Sequence, residues 1–139
     1  MNREFSKKLG AIVILGFCVF WGLKVFYQVR TLREDFNIDN GGYLYRCQTI
    51  VTGNAGRVIL RYYFFVNGRK FSNSIALLSS EISVRDCNEY LAGNYFPVAF
   101  VPSDPEISSL LVLPDDFERF GRSFPDSLYW VLSYVDYEY

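Results

Sequence analysis

The run YYFFVNGRKF, Tyr62–Phe71, decides how the rest of the chain is read. Four consecutive aromatic residues followed by a basic tip suit a stacking platform for bases, the mouth of a binding site, or a β-hairpin. Asn67-Gly68 selects the hairpin, because both central residues of a type I′ turn need positive φ and this dipeptide meets that need at least cost. Upstream, Arg57–Val66 alternates with period two. Val58, Leu60, Tyr62, Phe64 and Val66 fall on one face, and Arg57, Ile59, Arg61, Tyr63 and Phe65 on the other. The first face is predicted to be core. The second is amphipathic rather than polar, so it is predicted to be partly covered or to bind something. Arg69–Leu77 is the expected return strand.

Working outward, Tyr43–Thr52 is rich in aromatic and β-branched residues and reads as a strand, with GNAG (Gly53–Gly56) as the turn that follows. On the other side, residues 79–93 suit a helix. Ser79 or Ser80 would cap it, Glu81 and Arg85 would form an i,i+4 pair, and Val84, Cys87 and Leu91 would share its apolar face. Gly93 is its stop. Tyr95–Pro102 alternates Phe96, Val98 and Phe100, and its two prolines, Pro97 and Pro102, predict an edge strand. A tight turn through SDPE, residues 103–106, leads to a last strand, Ile107–Leu113. The tail opens a short acidic helix at Pro114–Glu118. It then carries an apolar run, Leu128–Val135, too short to cross a bilayer and expected to pack on the sheet or lie near the membrane surface.

The N-terminal segment Leu9–Val29 is long and apolar, with Lys24 as its single charge. At about 1.5 Å per residue it can cross a hydrocarbon core of roughly 30 Å. Lys24 can snorkel to the headgroups, and Trp21 and Tyr27 suit the interface. FWGLKVFYQVR offers no small-residue cleavage site, and Phe17 before Cys18 argues against a lipoprotein signal, so the segment reads as an uncleaved signal anchor. Residues 1–8 form a basic tail with Arg3, Lys7 and Lys8. Basic residues also follow the helix, at Arg30 and Arg33, and the expected orientation is a cytoplasmic N-terminus with the C-terminal domain outside the inner membrane. Residues 30–42 are the expected juxtamembrane linker: Arg30–Phe36 is helix-compatible, and NIDNGG, ending in Gly41 and Gly42, breaks the helix. The fold class is therefore α+β. One transmembrane helix precedes a small, mainly antiparallel β-domain over residues 43–139, a barrel-like or half-open sheet with one or two short helices.

Composition narrows function. The net charge is −1 and histidine is absent, which removes the field that favours polyanions, the usual general base of hydrolases and the commonest transition-metal ligand. The three cysteines, Cys18, Cys47 and Cys87, lack metal-ligand spacing. Cys18 lies in the apolar segment. Cys47 and Cys87 are either a disulfide, which fits an oxidising compartment, or two buried thiols.

The order of motifs, RYYFFVNGRKF followed by AGNYFPVAFVPSDPEISSLLVL, resembles a family of uncharacterised bacterial membrane-anchored proteins with a small β-domain. Asn67, Gly68 and Phe71 match its hairpin, and Gly93 precedes its next strand. Pro102, Pro105, Ser108 or Ser109, and Leu110 match its ending. Val101 stands where the family usually has an aromatic residue, and Asp104 where it has asparagine. The resemblance spans roughly Tyr43–Leu113. It implies a tethered antiparallel β-domain and no catalytic residue.

The functional expectation is a non-catalytic, single-pass inner-membrane protein whose β-domain binds a protein partner, as an accessory subunit of a membrane complex. Arg61, Tyr63, Phe65 and Arg69 are the expected contacts, with Asn67, Gly68, Gly93, Pro102 and Pro105 as turn formers. The alternative is a membrane-anchored immunity factor that neutralises a toxin. A second alternative is a hydrolase using carboxylates among Asp104, Glu106, Asp115, Asp116, Glu118 and Asp126. These acids sit in turns beside Pro and Ser, where they suit capping. Nucleic acid binding would draw on Arg57, Arg61, Arg69 and Lys70 beside Tyr62, Tyr63 and Phe71, and the charge balance disfavours it. No cofactor and no metal are expected, and the lipid bilayer is the partner of residues 9–29.

Overall fold

The hairpin forms where Asn67-Gly68 places it, with Asn67 at φ 51° and Gly68 at φ 77°. The computed structural model describes residues 3–52, 55–78 and 80–136. Gly53 and Asn54 of the expected GNAG turn, and the expected cap Ser79, lie outside the described residues, as do the basic side chains of the N-terminal tail. Helix α1 (Arg3–Glu34) is followed after two residues by β1 (Asn37–Thr52), then β2 (Ala55–Val66) and β3 (Arg69–Leu78). A short helix α2 (Val84–Asp86) runs directly into a π-helical turn, Cys87–Leu91. Strands β4 (Tyr95–Val101) and β5 (Asp104–Leu110), helix α3 (Pro114–Glu118) and a 3₁₀ helix, Asp126–Ser133, complete the chain.

The five strands form one antiparallel sheet in the order β3-β2-β1-β4-β5, curled into a nearly closed barrel. The period-two reading of β2 holds: Val58, Leu60, Tyr62 and Phe64 are buried, while Arg57, Arg61 and Phe65 are exposed. Facing them inside are Leu44, Phe96, Val98 and Leu110, all at zero exposure. Phe117, Leu128, Val131 and Val135 from the C-terminal segment close over this core, so the apolar run Leu128–Val135 packs on the sheet. Edges β3 and β5 meet through side chains rather than a ladder. Asn73 Nδ2 donates to the carbonyls of Glu106 (3.0 Å) and Ser108 (3.3 Å), and the Tyr62 hydroxyl bonds Ser108 Oγ at 3.0 Å. Burial pushes the Tyr62 phenol well above its ordinary pKa, so the hydroxyl at this seam stays neutral.

Several sequence expectations change. Residues 37–42 are not linker but the first part of β1, paired with β4. Gly42 is required by close packing rather than by helix breaking: a Cβ there would meet the Phe96 carbonyl and Leu110 Cδ1 at 2.8 Å. Strand β4 is not an edge, because it pairs with both β1 and β5. Pro97 is accommodated because its nitrogen faces β5 just past the last ladder pair, Val98 with Leu110, where no donor is required. Its carbonyl still accepts from Leu111 N–H at 2.8 Å. The β4–β5 turn is Pro102-Ser103, so Asp104, Pro105 and Glu106 belong to β5, and the strand ends at Leu110 rather than Leu113.

The helix expected over 79–93 is shorter. Ser83 caps it, accepting from Asp86 N–H at 3.0 Å. Glu81 lies before it and accepts from Leu78 N–H (2.8 Å), while Arg85 pairs loosely with Glu89 at 3.7 Å. The reason is the upper half of β1, which runs beyond β4 and leaves backbone groups to satisfy. The Asn88 side chain accepts Cys47 N–H and donates to Cys47 C=O, both at 2.9 Å, and Gly93 N–H donates to Leu44 C=O at 2.7 Å. The π turn thus acts as a surrogate strand against β1. Cys47 and Cys87 are joined there in a disulfide, with Cα atoms 6.0 Å apart, and Gly93 leaves the turn at φ 87°.

Candidate functional site: an aromatic outer face on the sheet

Antiparallel pairing sets Tyr43 opposite both Tyr63 on β2 and Tyr95 on β4. Their rings form a row across three strands, with centroids 5.3 Å apart for Tyr43–Tyr63 and 5.1 Å for Tyr43–Tyr95. A bulge in β1 between Leu44 and Arg46 adds Tyr45 to the row. One extra residue breaks the alternation, so Tyr45 and Arg46 both point outward. Tyr45 lies 5.9 Å from Tyr63, and Phe65 meets Tyr63 edge-on at 6.0 Å. Tyr95 (64%), Phe65 (54%) and Tyr45 (44%) remain exposed. Lys70 Nζ stands 4.0 Å from the Tyr63 ring centroid, a short cation–π contact. Arg61, two residues before Tyr63 on the same face, donates from Nε to Gln48 Oε1 at 2.6 Å, on the side away from the rings.

Arg61, Tyr63 and Phe65 are therefore brought together as expected. Arg69 is not among them: it pairs with Val66 across the turn and lies over Phe71, 5.2 Å from its centroid, on the opposite side of the hairpin. Lys70, opposite Phe65, joins Arg61 on this face. Tyr43, Tyr45 and Tyr95 are the additions. Tyr95 was legible in the alternation that buries Phe96, Val98 and Phe100. Tyr43 was legible only from pairing, and Tyr45 only from the bulge.

The carboxylates are dispersed over other elements. Asp104 and Glu106 open β5, Asp115, Asp116 and Glu118 lie on α3, and Asp126 starts the 3₁₀ helix. Asp116 is structural: its Oδ2 accepts Val112 N–H at 3.1 Å and Leu113 N–H at 2.9 Å, satisfying the helix entrance. Burial raises its pKa above the ordinary carboxylate value, against the lowering effect of these two bonds and of Arg119. The folded state therefore holds the proton more tightly than the unfolded state. The resulting stabilisation is full below the unfolded pKa and is lost as pH rises through the folded pKa. Asp116→Asn, which keeps the acceptor, is expected to flatten this pH dependence with little change near neutrality. Asp116→Ala orphans two N–H groups and is expected to cost about 1–3 kcal/mol. Urea melts of the three proteins at acid and neutral pH measure both effects.

Among the described residues no group of three or more histidine, cysteine or acidic side chains is arranged to hold a metal ion. No known protein family, curated protein or solved structure matches the chain.

Proposed function

We propose that this chain is a membrane-anchored, non-catalytic protein whose β-domain binds a protein partner through the outer face of its sheet, as an accessory subunit of a membrane complex. The observation that carries the reading is the continuous row Tyr95–Tyr43–Tyr63 with Tyr45 and Phe65, largely exposed and flanked by Arg61 and Lys70. A sheet that lays five rings on its outer face, three of them exposed, presents apolar area that a partner covers, and tyrosine, phenylalanine and arginine are the residues that interface cores favour. The absence of histidine and the use of Asp116 to close a helix entrance weigh against the hydrolase reading.

Anchoring is supported by α1, whose Gly10–Glu34 portion has a mean hydropathy of 1.9 in its most apolar window, with none of that window buried. The Cys47–Cys87 disulfide favours the oxidising side of that membrane for the domain. This agrees with a cytoplasmic N-terminus and an extracytoplasmic C-terminal domain at the inner membrane.

The test replaces Tyr63 and Tyr95 by serine in the full-length protein, extracted in detergent, and measures affinity for the partner recovered by site-specific photocrosslinking from position 45. The double variant is expected to lose about 2 kcal/mol or more of binding, roughly thirtyfold, with a melting transition close to that of the parent. Undiminished crosslinking in the variant, or a monomer that crosslinks to nothing, defeats the reading. Loss of the folded transition would instead show that the face is part of the core.

A further inference from the structure

Where α1 meets the domain it leaves a cleft of about 240 Å³. Val29, Leu32 and Arg33 form one wall, and Ser109 of β5 with Asp116, Arg119 and Phe120 form the other. The walls are held by packing: Leu32 lies against the domain core, and Phe120 meets Phe36 edge-on at 4.8 Å. The space is smaller than the roughly 300–1,000 Å³ of pockets that enclose a whole small molecule. It suits a compact polar group whose remainder lies outside.

Two guanidinium groups line this cleft against one carboxylate. Arg119 reaches Asp116 Oδ1 only loosely, at 3.9 Å, and Asp116 Oδ2 is already held by the N–H groups of Val112 and Leu113. Arg33 has no ion pair among the described residues. The nearby Glu34 is engaged by Arg30 at 2.8 Å. The cleft therefore carries one uncompensated positive charge, and Ser109 adds a hydroxyl that can donate a hydrogen bond. A singly charged anion with several acceptor oxygens matches it, and the arginine fork is built for such a group.

The level of the cleft follows from α1 alone. The apolar run ends at Val29, and Arg33 stands one turn on, about 6 Å further at ~1.5 Å per residue. The headgroup layer on each side of a bilayer is roughly 5–8 Å thick. Both residues belong to the spanning helix itself, so this depth holds whichever way the barrel leans from it.

We infer that the cleft holds the phosphodiester of one membrane phospholipid between Arg33 and Arg119, with the start of its acyl chains over Val29 and Leu32. This rests on the reading of α1 as a membrane span, and is independent of the aromatic face. The lipid supplies the missing anion and joins the end of α1 to the flank of the barrel.

The test uses the full chain, disulfide intact, in dodecyl maltoside micelles, titrated with dioleoylphosphatidylglycerol and read by native mass spectrometry. The parent is expected to retain one lipid, and R33Q/R119Q to bind it about thirtyfold more weakly. R33Q alone alters only an exposed position on α1 and should lose about fivefold, which keeps the result readable if the double variant melts early. R30Q removes a cation at nearly the same depth but outside the cleft, and should stay within about twofold of the parent. Undiminished binding in R33Q and R33Q/R119Q overturns the site, and so does an equal loss in R30Q, which would mark surface charge rather than the cleft. Saturation by glycerophosphate alone at micromolar concentration would make this a site for a soluble phosphate and overturn the lipid assignment. A bimane fluorophore on Cys18, in vesicles containing dibrominated lipid, reports the span separately. Quenching there with no retained lipid overturns the cleft while leaving the span in place, and no quenching overturns the span itself.

Discussion

Replacing Cys47 and Cys87 together by alanine is expected to remove about 4 kcal/mol of stability. The bridge spans 40 residues of sequence, and closing a loop of that size restricts the unfolded chain by about that amount in the chain-entropy treatment. For a domain of this size, each kcal/mol moves the melting temperature by about 4–8 °C, so a fall of roughly 15–30 °C is expected. Both cysteines are buried, so the alanines leave small voids and no orphaned polar group. Thermal melts with and without reductant check the origin of the loss. Reductant should bring the parent down to the level of the variant and leave the variant unchanged; equal sensitivity in both would place the loss in packing instead.

Phe64→Ala is expected to cost about 3–5 kcal/mol, the range for emptying an aromatic site in a core. The ring is fully buried, with centroids 5.5 Å from Phe100 and 5.8 Å from Phe71. It joins β2 to β4 and β3 across the barrel interior, so no single neighbour can move into the void. The adjacent Phe65→Ala serves as the internal contrast. Phe65 is half-exposed on the opposite face, and its truncation should change stability by less than about 1 kcal/mol. Similar losses from both variants would contradict the alternation on which the inward and outward faces are assigned.

That alternation is also why so much of the β-domain could be read from residues alone. Period two in Arg57–Val66 and the φ demands of Asn67-Gly68 are local, and local rules survive folding. What stayed hidden depends on partners distant in sequence. Pro97 reads as an edge signal, yet its nitrogen faces the end of the β5 ladder, so a central strand can carry it. Gly41 and Gly42 read as helix breakers, but the space at Gly42 is taken by Phe96 and Leu110, more than fifty residues away. The residues around Cys87 have a helical stripe, and only the unpaired upper half of β1 explains why they widen into a π turn. At the candidate site the same division holds. Tyr63 and Phe65 were accessible from one strand's pattern, whereas joining them to Tyr43, Tyr45 and Tyr95 required register across three strands, and exchanging Arg69 for Lys70 required the parity of the turn.

Asn88 has a consequence for the order in which the barrel can assemble. Strands β2 and β3 join through a two-residue turn, so their pairing closes a very short loop and costs little entropy. Strand β4 reaches β1 only after the intervening turn has come back across the sheet, pairing Asn37 with Phe100, a contact of high sequence separation that forms late in slow-folding β topologies. The upper half of β1 runs beyond β4, so even after β4 docks it would stand as an open template for another chain. Asn88, by taking both the N–H and the C=O of Cys47, closes the template from a residue beside the one that forms the disulfide. A substitution at Asn88 would then show itself less in the equilibrium of the finished barrel than in the yield of soluble protein recovered on refolding.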